Sequence, residues 1–248
     1  MKTLKRLCSK HLAALSLAAL GVIGLAGSAV AAAPAALAAS AATCTTVSCV
    51  QQFGDQRIQA RLAALDKLNL AATNHKGITS TQRSVIQNDV SANESGLKAL
   101  KQQLDGETTI TAARADVKNI YVQFRIYAVV LPRDYGEIWM FHQQNVVARM
   151  QDANDKISDL IQKAQQAGKD VSQLQALQQD YNAKLSDATT HLNNAQALIP
   201  SLVPSNFPGT TTTLKTYRAD LRTSHQDIVA AAKDLHQMVL ILKADLGS

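Results

Sequence analysis

Aromatic residues are scarce in this chain, at 4% of its 248 positions, and glutamate occurs only as Glu94, Glu107 and Glu137. Two of those glutamates fall at expected helix ends, where capping and the helix dipole account for them. Little is left from which to build the paired carboxylates of a glycoside hydrolase. Period-2 alternation of apolar residues is almost absent, which excludes a sheet as the main architecture. The sequence also lacks G-x-S-x-G, H-E-x-x-H, a phosphate-cradling glycine loop and a dinucleotide fingerprint. Gly168-Lys169-Asp170 has neither the upstream glycine nor the Ser or Thr of a P-loop, and reads as a helix end with glycine at C′.

Histidine is equally unhelpful for a metal. No two of His75, His142, His191, His225 and His236 are three or four residues apart, so no helix offers a local pair of ligands. Asp187 and His191 have i, i+4 spacing and read as a surface hydrogen-bonding pair. No metal and no cofactor is expected, and an enzyme assembled from separate helices ranks last among the functions considered.

What is present begins with a leader. Lys2, Lys5, Arg6 and Lys10 precede an apolar run from Leu12 to about Ala33, and small residues follow with A-x-A sites at Ala29–Ala31 and Ala36–Ala38. That order predicts a secretory signal peptide over residues 1–39. An uncleaved anchor is the alternative, because the run reaches the roughly 20 apolar residues of a bilayer span. Four of the 25 basic residues and none of the 19 acidic ones lie in this leader, so the remainder carries 21 against 19, a net of +2. The remaining cations are scattered singly. A nucleic-acid partner is therefore not expected, since phosphate affinity needs clustered cations. Contact with a membrane is expected only through the N-terminal segment, if it stays uncleaved.

Cys8 leaves with the leader, and Cys44 and Cys49 remain within an N-terminal segment at 40–54. Export makes a disulfide the leading reading of that pair. Lipidation of Cys44 is a poor fit, because Thr43 does not suit a lipoprotein cleavage site.

From residue 55 onward the apolar spacing is helical. Ile86, Val90, Asn93, Leu97, Leu100 and Leu104 form one stripe. Ile110, Ala113, Val117, Ile120, Phe124, Tyr127 and Leu131 form another, and Leu214, Tyr217, Leu221, Ser224, Ile228, Ala231, Leu235, Met238 and Leu242 a third. Steps of three and four put each set on one face, which must bury against another face. The same pattern is weaker near 55–74, 136–167 and 170–199. The expected fold is all-α: an antiparallel, coiled-coil-like bundle of about six helices. A first half spans 55–131, a turn lies at 132–135, and a second half spans 136–248 with a loop at 200–213. Asp134 with Glu137, and Asp170 with Gln173, have the spacing of capping boxes. Gly54, Gly77, Gly106, Gly136, Gly168, Gly209 and Gly247 fall near changes of pattern, whereas Gly96 lies inside a stripe. Arg114-Ala115-Asp116 recurs as Arg218-Ala219-Asp220, 104 residues later. This echo allows a division into two three-helix units.

Six of the ten aromatic residues lie between Tyr121 and Phe141, with Pro132 among them. Proline removes a donor and clashes with the preceding turn, so a helix is expected to stop near Leu131 and restart near Tyr135. The aromatics then read as packing at a bundle corner. The sharper alternative gives Tyr127, Arg133, Tyr135, Trp139 and His142 a binding surface or pocket, because Trp, Tyr and Arg are enriched at hot spots.

At RIYAVVLP, following ITAARADVKNIYVQF, the chain resembles a loose group of uncharacterised, exported, all-helical bacterial proteins, over about residues 55–200. The resemblance implies an all-helical fold and an extracytoplasmic location, and it implies no activity. Two functions are carried forward. One is an exported, non-enzymatic bundle acting in interaction or structure at the bacterial cell envelope, with a protein or cell-wall component as partner. The other is an extracytoplasmic module that binds an apolar molecule or wall fragment near Pro132. Trp139→Ala separates corner packing from a ligand site: packing predicts lost helicity and lost melting cooperativity by circular dichroism, and a site predicts neither.

Overall fold

The computed structural model describes residues 43–247, so the leader, its cleavage sites and the anchor alternative lie outside the described residues. Among the described residues there are helices and no strands. They are α1 (Val47–Asn74), α2 (Ser80–Gly106), α3 (Ile110–Val122), α4 (Leu131–Gln166), α5 (Ser172–Leu198) and α6 (Thr210–Gly247). Five of these run to between 27 and 38 residues and α3 only to 13. The all-helical fold is as expected, and the count of about six helices is adjusted to five long ones and one short one.

Threonine starts the first three helices. Thr46, Thr79 and Thr109 each accept a backbone N–H from three residues ahead, and Thr79 with Gln82 completes a reciprocal capping box at 3.2 and 2.9 Å. Because α1 starts at Val47, Cys49 is already helical, and the separate N-terminal segment expected at 40–54 is shorter than predicted. Cys44 and Cys49 are disulfide-bonded, with their sulfurs 2.09 Å apart. The two capping boxes expected further along are not formed. Asp134 is buried inside α4, and Asp170 accepts from Ser172 N–H at 2.9 Å, just before α5. Gly168 does end α4 as expected, with φ +74° and the two backbone bonds of a Schellman motif: Lys169 N–H to Ala164 and Gly168 N–H to Gln165.

The break between the halves is not where proline suggests. α3 ends at Val122, Arg125 takes a left-handed backbone with φ 44°, and a π-helical turn (Ile126–Val130) runs straight into α4. Residues 132–135, expected as a turn, belong to the first turns of α4. Pro132 sits where its missing N–H and fixed φ suit a helix start. The break falls instead at 123–125, where a non-glycine residue in the left-handed region costs about 1–2 kcal/mol, and the chain runs on in one direction beside α1: Arg114, Tyr127 and His142 meet Cys44, Ala60 and His75 in turn. Arg125 is held there by its stack on Phe207, 3.9 Å from the ring centre. The stripe predicted for 110–131 therefore holds through Phe124 and fails at Tyr127, which is exposed. The loop expected at 200–213 is shorter as well. Turns at Ile199–Ser201 and Pro204–Asn206 carry the chain to α6, and the Thr tract is already helical.

Helix pairs run in opposite directions. On α1 and α2, Asn69 meets Gln87 while Asp55 meets Lys101. On α5 and α6, Lys184 meets Asp234 while His191 meets Asp220. Buried side chains fall into two clusters. One gathers α1, α2 and α3 with Ile126, Val130 and Ile138, and the other gathers α4, α5 and α6 with Leu202. Phe141 packs against both. Every member of the α6 stripe from Leu214 to Leu242 is buried, and each large apolar side chain there contributes about 1.5–3 kcal/mol.

Two glycines placed at pattern changes instead mark close helix crossings. A Cβ on Gly54 of α1 would lie 2.3 Å from Leu104 Cδ2 and 3.0 Å from Val117 Cγ2, and one on Gly136 of α4 would lie 2.3 Å from the Tyr217 ring. Gly54→Ala is expected to cost about 1–3 kcal/mol through overpacking. Gly106→Ala, with open space around it, is expected to gain about 0.4–1 kcal/mol. Urea unfolding of the two variants checks both signs.

Candidate functional site

The start of α4 points three ionisable side chains inward. Arg133, Asp134 and Glu137 are all buried. Arg133 Nε donates to Asp134 Oδ1 at 2.6 Å and lies 3.8 Å from Glu137 Oε1. Its Nη1 donates to the Leu202 carbonyl at 3.3 Å, and its Nη2 to Asp89 Oδ2 on α2. Asn93, the polar member of the α2 stripe, donates to the same Asp89 oxygen at 3.0 Å. The Tyr217 hydroxyl on α6 donates to the Arg133 carbonyl at 3.5 Å. One guanidinium thus ties together α2, α4 and the segment between α5 and α6, and its own carbonyl reaches α6.

Three carboxylates surround that one cation, and two of them are out of water. Burial raises the Asp134 pKa to about 8 and that of Glu137 to about 7, in each case against the pull of Arg133 and with help from Asp89. For Arg133, burial works to lower the pKa, but Asp134, Asp89 and Glu137 outweigh it and the net shift is upward. Burial also raises the Tyr217 phenol, with further pushes from Glu137 and Asp134. The cluster can therefore hold a proton near neutral pH, the property that often marks catalytic acids. Here Asp134 is 1% and Glu137 6% exposed, so the proton is held inside the joint between helices.

The remaining residues singled out from the sequence go to separate neighbours. Tyr127 donates to the Ala60 carbonyl of α1 at 2.9 Å. Trp139 packs on the second core and lies 5.7 Å, centre to centre, from the His225 ring on α6. His142 meets His75 edge-on at 5.1 Å and leaves no room for a side chain on Gly77, whose carbonyl accepts from Asn145 at 2.9 Å. Tyr135 is exposed in part, and burial of the rest raises its phenol. His75 is lowered by burial, and His142 by burial and then by His75 and Arg149. His191 pairs across helices with Asp220 at 3.0 Å, in place of the expected contact with Asp187 on its own helix.

Sequence reasoning singled out Arg133 but missed its partners. Asp134 and Glu137 have capping spacing only if Pro132 stops the preceding helix, which it does not. The i, i+4 spacing of Arg133 and Glu137 is the signal that would have found one partner once the segment is helical; adjacent residues do not normally face each other on a helix, so Asp134 had no such signal. Asp89 carries no local signal. Among the described residues, no group of three or more His, Cys, Asp or Glu side chains is arranged to hold a metal ion.

Both buried carboxyls bind protons more tightly in the folded chain than in the unfolded one. Stability from this cluster is therefore greatest on the acid side and falls as pH rises toward about 8. The lowered histidines act in the opposite sense around pH 6.5, where the unfolded imidazoles are half protonated, and their contribution fades as pH rises further. Melting temperature is expected to drop between about pH 6.5 and 8, and Asp134→Asn is expected to flatten that slope. Arg133→Met is expected to cost about 3–5 kcal/mol, because it strands buried acids. Thermal melts across pH and urea unfolding read these effects.

Comparison with protein-family models, with curated proteins and with solved structures finds no match.

Proposed function

We propose that this is an exported, non-enzymatic helical-bundle protein that acts in interaction or structure at the bacterial cell envelope. One observation carries the reading. The cluster with the most perturbed acid–base chemistry is closed and serves to join helices, so its charges hold the architecture. The leader composition and the Cys44–Cys49 bond support an oxidising, extracytoplasmic setting. Among the described residues no helix is long and apolar enough to cross a membrane.

The bundle is best described as two antiparallel three-helix units, α1–α3 and α4–α6, fused at the Arg133 cluster. Two parallels support that description. Each unit has its own buried core. The repeated Arg-Ala-Asp places an aspartate on the third helix of each unit, and both pair with the helix before: Asp116 with Gln103 at 2.8 Å, and Asp220 with His191 at 3.0 Å.

Fractionation of cells producing the full chain tests the function. The protein is expected outside the cytoplasm, and crosslinking is expected to tie it to an envelope protein or wall polymer. Retention in the cytoplasm, or turnover of a substrate that Arg133→Met abolishes while the bundle stays folded, would overturn the proposal.

A further inference from the structure

The first unit holds another buried arginine, and this one has no acid beside it. Arg61 on α1 is 5% exposed. Its Nη1 donates to the Arg57 carbonyl one turn earlier at 2.9 Å. Its guanidinium carbon lies 4.6 Å from the Tyr121 ring centre and 5.2 Å from that of Tyr127. Arg57 stands over Phe53 at 4.7 Å. Among the described residues neither arginine forms an ion pair, and the Nε of each is buried without a hydrogen-bond partner. The Tyr121 hydroxyl is close enough to favour the charged guanidinium of Arg61, though it is not aligned for a hydrogen bond. Burial and then the like charge of Arg57 oppose that charged form.

Such an arrangement is unbalanced. A buried charge costs several kcal/mol unless it is paired, and contact with aromatic faces returns only about 0.5–2 kcal/mol. At Arg133 the same chain surrounds a buried guanidinium with three carboxylates. At Arg57 and Arg61 two guanidiniums one turn apart have none. Solvent reaches the edge of the cluster, because Arg57 is half-buried and Tyr127 is 41% exposed. The single hydrogen bond from Tyr127 to Ala60 holds the phenol over Arg61.

We propose that Arg57 and Arg61, with Tyr121 and Tyr127, form a binding site for an oxyanion, a phosphate or carboxylate group that enters beside Arg57 and supplies the missing negative charge. Guanidinium forks match such groups in geometry as well as charge. The site lies on α1, α3 and the π turn after it, uses none of the side chains of the Arg133 joint, and does not depend on the envelope reading.

Inorganic phosphate is the first probe, with chloride at equal ionic strength as control. Phosphate is expected to raise the melting temperature in a saturable way, since a ligand of the folded state stabilises it. Arg57→Gln is expected to weaken phosphate binding roughly tenfold. Arg57→Lys keeps the charge and provides the comparison if the Gln variant folds poorly; loss of the fork is expected to weaken binding there too. Co-sedimentation with phosphatidylglycerol vesicles, against phosphatidylcholine vesicles, separates a lipid headgroup from a soluble anion. A response to either anionic probe that the Arg57 variants weaken supports the site. No response beyond the chloride and phosphatidylcholine controls, or a response equal in the Arg57 variants, overturns it.

Discussion

Arg133 is the group on which the arrangement of the two cores depends. A guanidinium cannot be left bare in an apolar interior, so its donors dictate where their acceptors must be. Those acceptors come from α2, from α4 itself and from the segment between α5 and α6. Apolar contact between the cores, through Phe141 for example, is forgiving about register. The charged joint is not, because moving α2 or the 199–209 segment by one residue would strand a charge. This is the sense in which a buried ion pair supplies specificity more than stability. Its acids bring their own counterweight, since two buried carboxyls facing one cation keep protons that solvent-exposed acids would release.

Much of this fold was legible in the residue pattern. The α6 stripe works because thirty-odd residues without proline or interior glycine repeat one periodicity, and no tertiary demand interrupts it. Gly168 was readable for the same reason, as its cause is local backbone geometry. What escaped was whatever depends on a distant partner. Pro132 is a breaker only where its N–H would be needed, and a preceding π turn removes that need. Gly54 and Gly136 resemble punctuation in the sequence, whereas their causes are Leu104 and Tyr217, which lie far along the chain.

The candidate site shows the same divide more sharply. Arg133 stands out in the sequence by residue type alone, and its burial is invisible where residues 132–135 read as a turn. Trp139, His142 and Tyr127 group by proximity in sequence, but helical geometry and the left-handed break at Arg125 send them to different neighbours. Arg61 carried no signal, because an arginine in an amphipathic helix normally reaches solvent. Its tyrosine neighbours come from beyond residue 120.

The segment between α5 and α6 reaches back to the joint twice, through the Leu202 carbonyl on Arg133 and the Phe207 ring under Arg125. These links span 69 and 82 positions of the chain. During vectorial synthesis, α1 to α3 can close most of their own core early. The hinge at 125–133 must then wait, with one donor of Arg133 and the face of Arg125 unfilled, until the last fifth of the polypeptide emerges. A ribosome-stalled intermediate would therefore be a nearly closed front unit trailing an unlocked one.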